Sequence, residues 1–385
     1  MEGSQINGEE ELRELLISSI REEGPMTFAQ FMETVLYHPN LGYYTDPKWV
    51  TGREGDFFTS CDLSSVFGQM LAKQVNFLWE KLDKPGNFKV VEYGAGRGYL
   101  ARDILEELRQ RNSDCFEALT YYIIEKSHPN RHKQQECLAT LDLPVGKVLW
   151  VNKISEVSTP GMLDGLVLSN ELIDAFAVHV VQKQDDLVQE VFVDIQDGEL
   201  VEVLKPVSNY KIVEYLKEFR IELEEEQRIE VNLQALDWLA EIANTLDRGM
   251  VLTVDYGYTV AEIQHGLHFN GTLRGFYQHQ LVEDPFKYLG RQDLTASVNF
   301  TALIEQGEAL GLKKVDFLSQ GRYLSKLGIL EALVPDSDGK TIFGDAEATA
   351  KAALMVKRLI LPGMGEAFKV LLQGKSLIKE PTLGL

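Results

Sequence analysis

A short glycine-rich stretch, Glu92-Tyr93-Gly94-Ala95-Gly96-Arg97-Gly98-Tyr99, constrains the fold of this 385-residue chain more than any other feature. It follows an apolar segment at residues 89–93 that is typical of a buried strand, and it precedes a helical pattern at residues 100–111. Glycine lets a backbone turn sharply and approach a ligand where a side chain would collide. A strand, a glycine loop and a helix in this order predict a cofactor-binding turn.

Further strands are predicted at residues 121–124, 148–151, 166–168 and 250–254, and helical segments lie between them. Strands that alternate with helices indicate a parallel sheet covered on both faces, so we predict a doubly wound α/β fold. In such an open sheet, ligands bind beyond the carboxyl ends of the strands. The residues that directly follow each strand are therefore the candidates for a functional site.

The chain is longer than one typical domain, and its pattern predicts additions to the core. Residues 178–203 alternate around the turn Asp197-Gly198, which predicts antiparallel strands. The acidic run from Glu218 to Glu230 is typical of a solvated helix face. We predict a helical cap and cofactor lid at 1–85, the first part of the core at 86–177, an insertion of antiparallel strands and an acidic helix at 178–231, and the remainder of the core at 232–385 with a second insertion at about 256–299.

Acidic residues outnumber basic ones by 59 to 38, which gives a net charge of −21. A field of this sign repels nucleic-acid phosphates and anionic membrane surfaces, so we expect neither as a partner. It suits a cationic protein partner, although solubility is the simpler explanation. No apolar run is long enough to span a bilayer.

The first twenty residues and the cysteines bear on the compartment. Arg13 is the only basic side chain among five glutamates in that segment, the opposite of a targeting sequence. Three cysteines without ligand spacing favour a reducing compartment. We therefore expect a cytoplasmic protein. His279, Asp284 and Asp293 have no metal-ligand spacing, so we predict no metal site.

The glycine loop and the residue at position 99 indicate which cofactor is bound. A dinucleotide site requires Gly-x-Gly-x-x-Gly, and its last position is Tyr99 here, which argues against NAD. Glu125, at the end of the second strand, can accept hydrogen bonds from both hydroxyls of a ribose, and would do so for NAD as well. Glycine at 94, 96 and 98 instead resembles the first motif of class I methyltransferases, which holds the amino-acid end of S-adenosylmethionine.

An ordered series of motifs resembles the MidA-like family of methyltransferases, which includes a mitochondrial protein arginine methyltransferase. The resemblance implies a class I methyltransferase fold, S-adenosylmethionine as the donor and, in the mitochondrial member, arginine as the acceptor. Asn299 departs from the aspartate expected in many relatives, which puts in doubt any role that needs a charge there. The matching motifs are residues 37–39, 41–44, 55–60, 92–98, 169–175, 255–257, 271–274 with His279, 292–296 and 298–300.

Glu171 and Asp174, after the fourth predicted strand, are the candidate catalytic residues. A guanidinium has a pKa above about 12, so an acceptor arginine must be oriented and helped to lose its proton. Carboxylates match its planar fork of donors, and a helical turn would bring residues 171 and 174 onto one face. We predict that Glu171 holds the acceptor nitrogen, with Asp174 as a second carboxylate. Alternatively, Asp174 caps a helix near Ala175 and Glu171 binds backbone amides.

The amino-terminal loop with Asp56, Thr59 and Ser60 is placed over the cofactor by the family resemblance, and we predict a lid that excludes water. The alternative is a buried turn that packs the cap onto the core. The predicted cofactor-binding residues are Glu92, Gly94, Gly96, Gly98, Glu125, Asn170, Asp56, Thr59 and Ser60.

Three other functions share parts of this pattern. A nicotinamide-dependent oxidoreductase shares the fold and the ribose acid, and Tyr99 argues against it. A non-catalytic assembly chaperone could retain the cofactor pocket, and a small-molecule methyltransferase stays open because the acceptor loops have no recognisable code. A nucleic-acid methyltransferase would need a basic groove. We predict a methyltransferase with a protein substrate that bears arginine, and the sequence specifies no oligomeric state.

Overall fold

Helices and strands alternate along the chain in the computed structural model, which describes residues 2–45, 64–264, 268–335, 337–338 and 340–377. The helices are α1 (Glu2–Glu23), α2 (Phe28–Tyr37), α3 (Val66–Lys81), α4 (Tyr99–Arg111), α5 (Ser113–Ala118), α6 (His128–Ala139), α7 (Tyr210–Glu218), α8 (Leu233–Thr245), α9 (Val260–Gln264), α10 (Phe300–Ala309), α11 (Gln320–Lys326), α12 (Ala346–Ile360) and α13 (Met364–Ala367). The strands are β1 (Met26–Thr27), β2 (Phe88–Tyr93), β3 (Leu119–Ile124), β4 (Val148–Val151), β5 (Leu163–Asn170), β6 (His179–Gln184), β7 (Leu187–Gln196), β8 (Glu199–Pro206), β9 (Arg228–Val231), β10 (Leu246–Tyr258), β11 (Arg274–Tyr277), β12 (Gln280–Val282), β13 (Asp293–Thr295), β14 (Val298–Asn299), β15 (Lys313–Ser319) and β16 (Phe368–Lys375). Among these helices, none combines the length and apolar composition that crossing a bilayer requires.

Two compact units divide the chain between them, and each draws on three separate stretches of sequence. The core unit comprises Phe58–Leu172, Leu239–Gly257 and Gln306–Leu385. The accessory unit comprises Met1–Phe57, Ile173–Trp238 and Tyr258–Glu305. The domain boundaries drawn from the sequence cut the chain into consecutive pieces, and they stay predictions.

The core unit is built on a sheet in which seven strands follow the order β15-β16-β10-β5-β2-β3-β4. The five strands from β10 to β4 are parallel, whereas β16 runs antiparallel to both of its neighbours. Parallel strands are covered on both faces and so are mostly apolar, as the buried Val90, Leu166 and Leu252 illustrate. The α/β fold predicted from the alternating pattern is confirmed.

Strand β2 marks the point where the order of the sheet reverses. Strands β3 and β4 extend the sheet on one side of β2, and β5 and β10 extend it on the other. Connections that leave a sheet in opposite directions open a crevice beyond the carboxyl ends of the strands, where ligands bind in folds of this type. The loop that follows β2 lies at this crevice.

The register of the strands brings several loops to the same edge. Tyr93 at the end of β2 pairs with Ile124 on β3 and with Ser169 on β5. Ile124 in turn pairs with Val151 at the end of β4. The residues that follow these positions along the chain therefore start from one edge of the sheet, and they include the glycine loop and Glu125.

The accessory unit contains two antiparallel sheets. One has the order β1-β7-β6-β9 with β8 paired to β7, and the other has the order β12-β11-β13. Asp197 and Gly198, both with positive φ, join β7 to β8 as the predicted turn. Helix α2 starts after the N-cap residue Thr27, and Thr27 and Gln30 form a reciprocal capping box.

The acidic run from Glu218 to Glu230 is not the solvated helix that the sequence predicted. Helix α7 ends at Glu218, and both Arg220 and Glu226 have a positive φ that a right-handed helix does not allow. The Glu225 carboxylate accepts hydrogen bonds from the amides of the β6–β7 turn at 2.6 and 3.3 Å, and the run then enters β9 beside β6. Pairing with a distant strand therefore overrides the local preference for helix.

Candidate active site

The glycine loop leaves β2 with three left-handed residues, Gly94, Gly96 and Gly98, whose φ values are 65°, 52° and 82°. A side chain in this region would cost about 1–2 kcal/mol for each residue. A Cβ at Gly94 would lie 2.8 Å from the side chain of Leu172, and one at Gly98 would lie 3.2 Å from the backbone of Gln134. Two of the three glycines therefore pack closely against the protein.

Gly96 differs from its neighbours, because no described heavy atom lies within 4 Å of a Cβ built on it. Its left-handed backbone still requires glycine, while its Cα faces open space at the carboxyl edge of the sheet. A backbone exposed in this way can approach a ligand without steric hindrance. The loop thus fits a cofactor that lies against its middle glycine.

Glu125 lies beyond β3, at the next position along the same edge. Its Oε1 accepts a 2.8 Å hydrogen bond from the backbone amide of Ser127, and its Oε2 accepts one of 3.1 Å from the side-chain amide of Gln134. Burial raises the pKa of Glu125, while the two hydrogen bonds and the nearby Arg131 guanidinium lower it. The carboxylate is held in place and retains acceptor capacity for a ligand.

Gln134, Trp150 and Arg131 belong to this site, although the sequence reasoning did not identify them. The Gln134 amide is fully buried and contacts both the glycine loop and Glu125. Arg131 donates from Nε to the carbonyl of Glu125 at 2.7 Å. The pattern of α6 is polar on every side, so periodicity does not single out these residues. Trp150 on a predicted strand was the available signal, because an indole N–H that packs against a sheet usually finds an acceptor.

Glu92 lies on β2, two residues before the glycine loop, and only 2 % of it is exposed. The hydroxyl of Tyr121 donates a 2.9 Å hydrogen bond to its carboxyl group. Burial is the main cause that raises the pKa of Glu92 to about 7; the Tyr121 hydrogen bond lowers it and the charge of Glu125 raises it. The structure thus places this predicted site residue within the strand, next to the loop.

Asn170 is the last residue of β5 and Glu171 follows it, on the opposite side of β2 from Glu125. Glu171 has a φ of 51°, and its amide donates to the carbonyl of Val254 at 2.9 Å. Its Oε1 accepts a hydrogen bond from Asn170 Nδ2 at 3.1 Å. Within the described part of the chain, no group donates to the buried Asn170 Oδ1. A strained carboxylate residue and an unsatisfied amide oxygen at this edge are features of a binding site.

Asp174 is part of the accessory unit, where it is almost fully buried and its carbonyl accepts a hydrogen bond from the amide of Ala296 at 2.9 Å. Residues 171–178 form neither helix nor strand, so the helical turn expected to align Glu171 with Asp174 is absent. The alternative, in which Asp174 caps a helix near Ala175, is wrong for the same reason. The positive φ of Glu171 is incompatible with a helix at this point.

Two further predictions concern the lid residues and Asn299. Asp56, Thr59 and Ser60, the predicted lid residues, lie outside the described residues. Asn299 caps α10, since its Oδ1 accepts from the amide of Ala302 at 3.2 Å and its Nδ2 donates to the hydroxyl of Tyr215 at 3.0 Å. An uncharged amide meets both contacts, which accounts for asparagine at this position.

Comparison with known proteins identifies the family. Residues 70–318 match the family described as "Putative S-adenosyl-L-methionine-dependent methyltransferase". The chain belongs to this family. The resemblance to the MidA-like methyltransferases and the prediction of S-adenosylmethionine as cofactor are confirmed, and the chain is a methyltransferase.

Several relatives of this methyltransferase have names or solved structures. It is 30% identical to the Drosophila melanogaster "Protein arginine methyltransferase NDUFAF7 homolog, mitochondrial", over 79% of this chain and 72% of that protein. It is also 30% identical to the Mus musculus "Protein arginine methyltransferase NDUFAF7, mitochondrial", over 82% and 73% of the two chains. The crystal structure of a "COG1565 superfamily member and likely methyl transferase" from Burkholderia thailandensis, bound to S-adenosyl-homocysteine, has 31% identity and a TM-score of 0.85, and the match covers 98% of this chain and 95% of that one.

The predicted cytoplasmic location is wrong. The relatives from Drosophila melanogaster, Mus musculus and Homo sapiens are all named as mitochondrial proteins. The prediction relied on the charge of the first twenty residues and on the number of cysteines, and neither property determines the compartment in which a methyltransferase of this family acts.

Proposed function

We propose that this methyltransferase modifies an arginine side chain of a protein. The relatives with 30% identity over most of this chain are named protein arginine methyltransferases, which supports a protein acceptor. The net charge of −21 favours a cationic partner. The observation that carries the proposal is Glu171, a carboxylate residue in a left-handed conformation at the carboxyl edge of the core sheet.

The proposed cofactor contacts follow from the geometry of the core unit. The backbone of the loop from Gly94 to Gly98 holds the amino-acid end of S-adenosylmethionine, and Glu125 accepts hydrogen bonds from the ribose hydroxyls. Glu92 and Asn170 line the same edge. Asp56, Thr59 and Ser60 remain candidates for a lid from the resemblance alone.

Glu171 is proposed to hold the acceptor nitrogen. S-adenosylmethionine supplies a methyl group on a positively charged sulfur. A guanidinium loses its proton only with help, and the Glu171 carboxylate can both orient the planar group through charge-assisted hydrogen bonds and accept the proton. Asn170 Nδ2 donates to Oε1 of this carboxylate and so directs it. Asp174 remains a candidate for a second carboxylate.

A left-handed glutamate costs of the order of 1–3 kcal/mol, and such strain persists where the surrounding structure holds it in place. The Val254 carbonyl holds the Glu171 amide at 2.9 Å, which fixes this conformation. Helical geometry would turn the side chain in another direction. The strained backbone is therefore consistent with a Glu171 side chain that must point in one direction to meet the acceptor.

Glu171→Gln tests the proposal, because it removes the proton acceptor and preserves the shape of the side chain. We expect the variant to bind S-adenosyl-homocysteine like the wild type, by calorimetry, and to lose methyl transfer by a factor of 10² or more. Transfer is measured as radiolabel from S-adenosylmethionine in proteins of a lysate from cells that lack the enzyme, and the labelled residue is then mapped. Glu347→Gln, at an exposed glutamate of α12, is the matched control.

Four outcomes would contradict the proposal. Unchanged transfer by Glu171→Gln would remove Glu171 from the mechanism. A label on lysine or on another side chain would overturn the arginine acceptor. A label found only in small molecules would overturn the protein acceptor altogether. If no fraction of the lysate became labelled, a non-catalytic assembly role would be favoured.

A further inference from the structure

The side-chain amide of Gln134 has all of its hydrogens engaged. Its Nε2 donates to the carbonyl of Gly96 at 3.0 Å and to Oε2 of Glu125 at 3.1 Å, and its Oε1 accepts from the indole of Trp150 at 2.9 Å. The indole N–H is a donor only, which fixes the oxygen end of the amide. An amide nitrogen carries two hydrogens, so none is left for a ligand. Gln134 can therefore act only through its partners.

The hydrogen bonds that Glu125 receives set the number of acceptor positions it can offer. A carboxylate has about four such positions. One on Oε1 is occupied by the amide of Ser127, and one on Oε2 by Gln134. The backbone amide of Lys126 also hydrogen-bonds to this carboxylate, so only part of its acceptor capacity remains for the hydroxyls of a ligand. The donors in the protein thus fix both the direction and the remaining capacity of this carboxylate.

The charge of Glu125 depends on the same contacts. Burial raises its pKa. The Ser127 backbone amide, the Gln134 side-chain amide, the Arg131 guanidinium on α6 and the Lys126 backbone amide lower it. Glu92 on β2 is the further acidic group whose charge interacts with that of Glu125. Without Gln134, the charged form of Glu125 would lose one of the groups that stabilise it.

We infer that Gln134 is a positioning residue that fixes the Glu125 carboxylate relative to the Gly96 carbonyl and makes the site selective for a ribose with both hydroxyls. Trp150 orients the amide in this arrangement. The inference rests on the proposed role of Glu125 in holding the cofactor ribose.

A double-mutant cycle tests whether Gln134 acts through Glu125. Calorimetry measures the Kd of S-adenosyl-homocysteine for the wild type, Gln134→Leu, Glu125→Ala and the double variant. We expect Gln134→Leu to raise the Kd about tenfold, as for one charge-assisted hydrogen bond. In the Glu125→Ala background, Gln134→Leu should raise the Kd by less than a further factor of two. Equal losses in both backgrounds would show that Gln134 acts independently of Glu125 and would overturn the inference.

Selectivity is tested with the 2′-deoxyribose analogue of S-adenosyl-homocysteine. The wild type should prefer the full ribose, and Gln134→Leu should reduce this preference by several fold. An unchanged preference would contradict a role in selectivity. If Glu125→Ala itself binds like the wild type, the proposed ribose contact fails, whereas a weak Glu125→Ala with a normal Gln134→Leu overturns only the inference about Gln134.

The pH dependence of binding separates positioning from a general effect on folding. Loss of the Gln134 donor raises the pKa of Glu125, so on acidification Gln134→Leu should lose S-adenosyl-homocysteine at a higher pH than the wild type does. Coinciding midpoints would contradict the inference. Trp150→Phe keeps an aromatic ring and removes the donor that orients the Gln134 amide. It should shift the pH midpoint of binding in the same direction, and it replaces Gln134→Leu if that variant does not fold. Gln135→Leu, on the exposed side of α6, is the control.

Discussion

The hydroxyl of Tyr121 on β3 donates a 2.9 Å hydrogen bond to the carboxyl of Glu92 on the neighbouring strand β2, and both residues are buried. Burial raises the pKa of Glu92 to about 7 against this hydrogen bond, and the charge of Glu125 adds to the rise. A carboxyl group that gains or loses a proton near neutral pH therefore lies two residues before the glycine loop. Its protonation couples the stability of the core unit to pH.

Glu92→Gln should remove this coupling. An unfolded glutamate releases its proton near pH 4.5 and the folded Glu92 near pH 7, so between these values the folded chain holds the extra proton. The wild type therefore loses free energy of unfolding as the pH rises through this window, by about 3 kcal/mol in total. The free energy of unfolding of Glu92→Gln, from urea titrations at pH 5 to 8, should rise relative to the wild type over the same range.

Glu347→Gln, at an exposed glutamate of α12 whose partner Lys351 stays charged over this range, is the control for this experiment, and its difference from the wild type should not change between pH 5 and 8. Parallel pH profiles for Glu92→Gln and the wild type would show that Glu92 does not titrate in this window.

Gly96→Ala should reduce cofactor binding more than it reduces stability. The left-handed backbone costs about 1 kcal/mol for alanine, and the new methyl group points into open space at the edge of the sheet. We expect the Kd of S-adenosyl-homocysteine to rise at least tenfold by calorimetry, while the free energy of unfolding falls by about 1 kcal/mol.

Gly146→Ala is a matched control, because Gly146 also has a positive φ and open surroundings, but lies in the turn before β4. It should show the same loss of stability and normal binding. Equal Kd values for the Gly96 and Gly146 variants would contradict a ligand at Gly96.

Lys147→Met should destabilise the core unit and leave cofactor binding unchanged. The buried ammonium of Lys147 donates to the carbonyls of Phe116, Glu117 and Leu119 at 2.6, 3.3 and 2.9 Å, in the last turn of α5 and just beyond it. Methionine fills the same space and leaves these carbonyls without their donor, at a cost of about 2–3 kcal/mol. Urea titration measures the loss, and the exposed Lys153→Met should cost less than about 0.5 kcal/mol. A stable Lys147→Met would show that water replaces the ammonium.

The predicted strands and the glycine loop were accessible from the sequence because each depends on neighbours in the chain. The apolar segment before Gly94 is buried on both faces of the sheet, and the turn at Asp197-Gly198 needs only two residues that tolerate a positive φ. The capping box of α2 likewise joins Thr27 to a residue three positions away. Glu125 could be predicted because a parallel sheet brings the ends of its strands to one edge.

The contacts of the site could not be predicted in the same way. Gln134 meets Trp150 and Gly96 only after α6 has packed beside the sheet, and a polar helix shows no period that marks such a residue. Glu171 was predicted as a functional residue on a helical turn, and the structure instead holds it left-handed beside Val254. A local spacing rule does not include a partner that lies more than eighty residues away.

By itself, the sequence determined the series of strands and helices, the backbone freedom at Gly94, Gly96 and Gly98, and the family to which they belong, because these depend on short-range periodicity and on residue type. The tertiary structure decided the non-helical path of residues 219–227, the conformation of Glu171 and the hydrogen bonds that orient Glu125. Each of these is set by a group distant in the chain, and its free energy is gained only when folding brings the two groups together and removes water from between them.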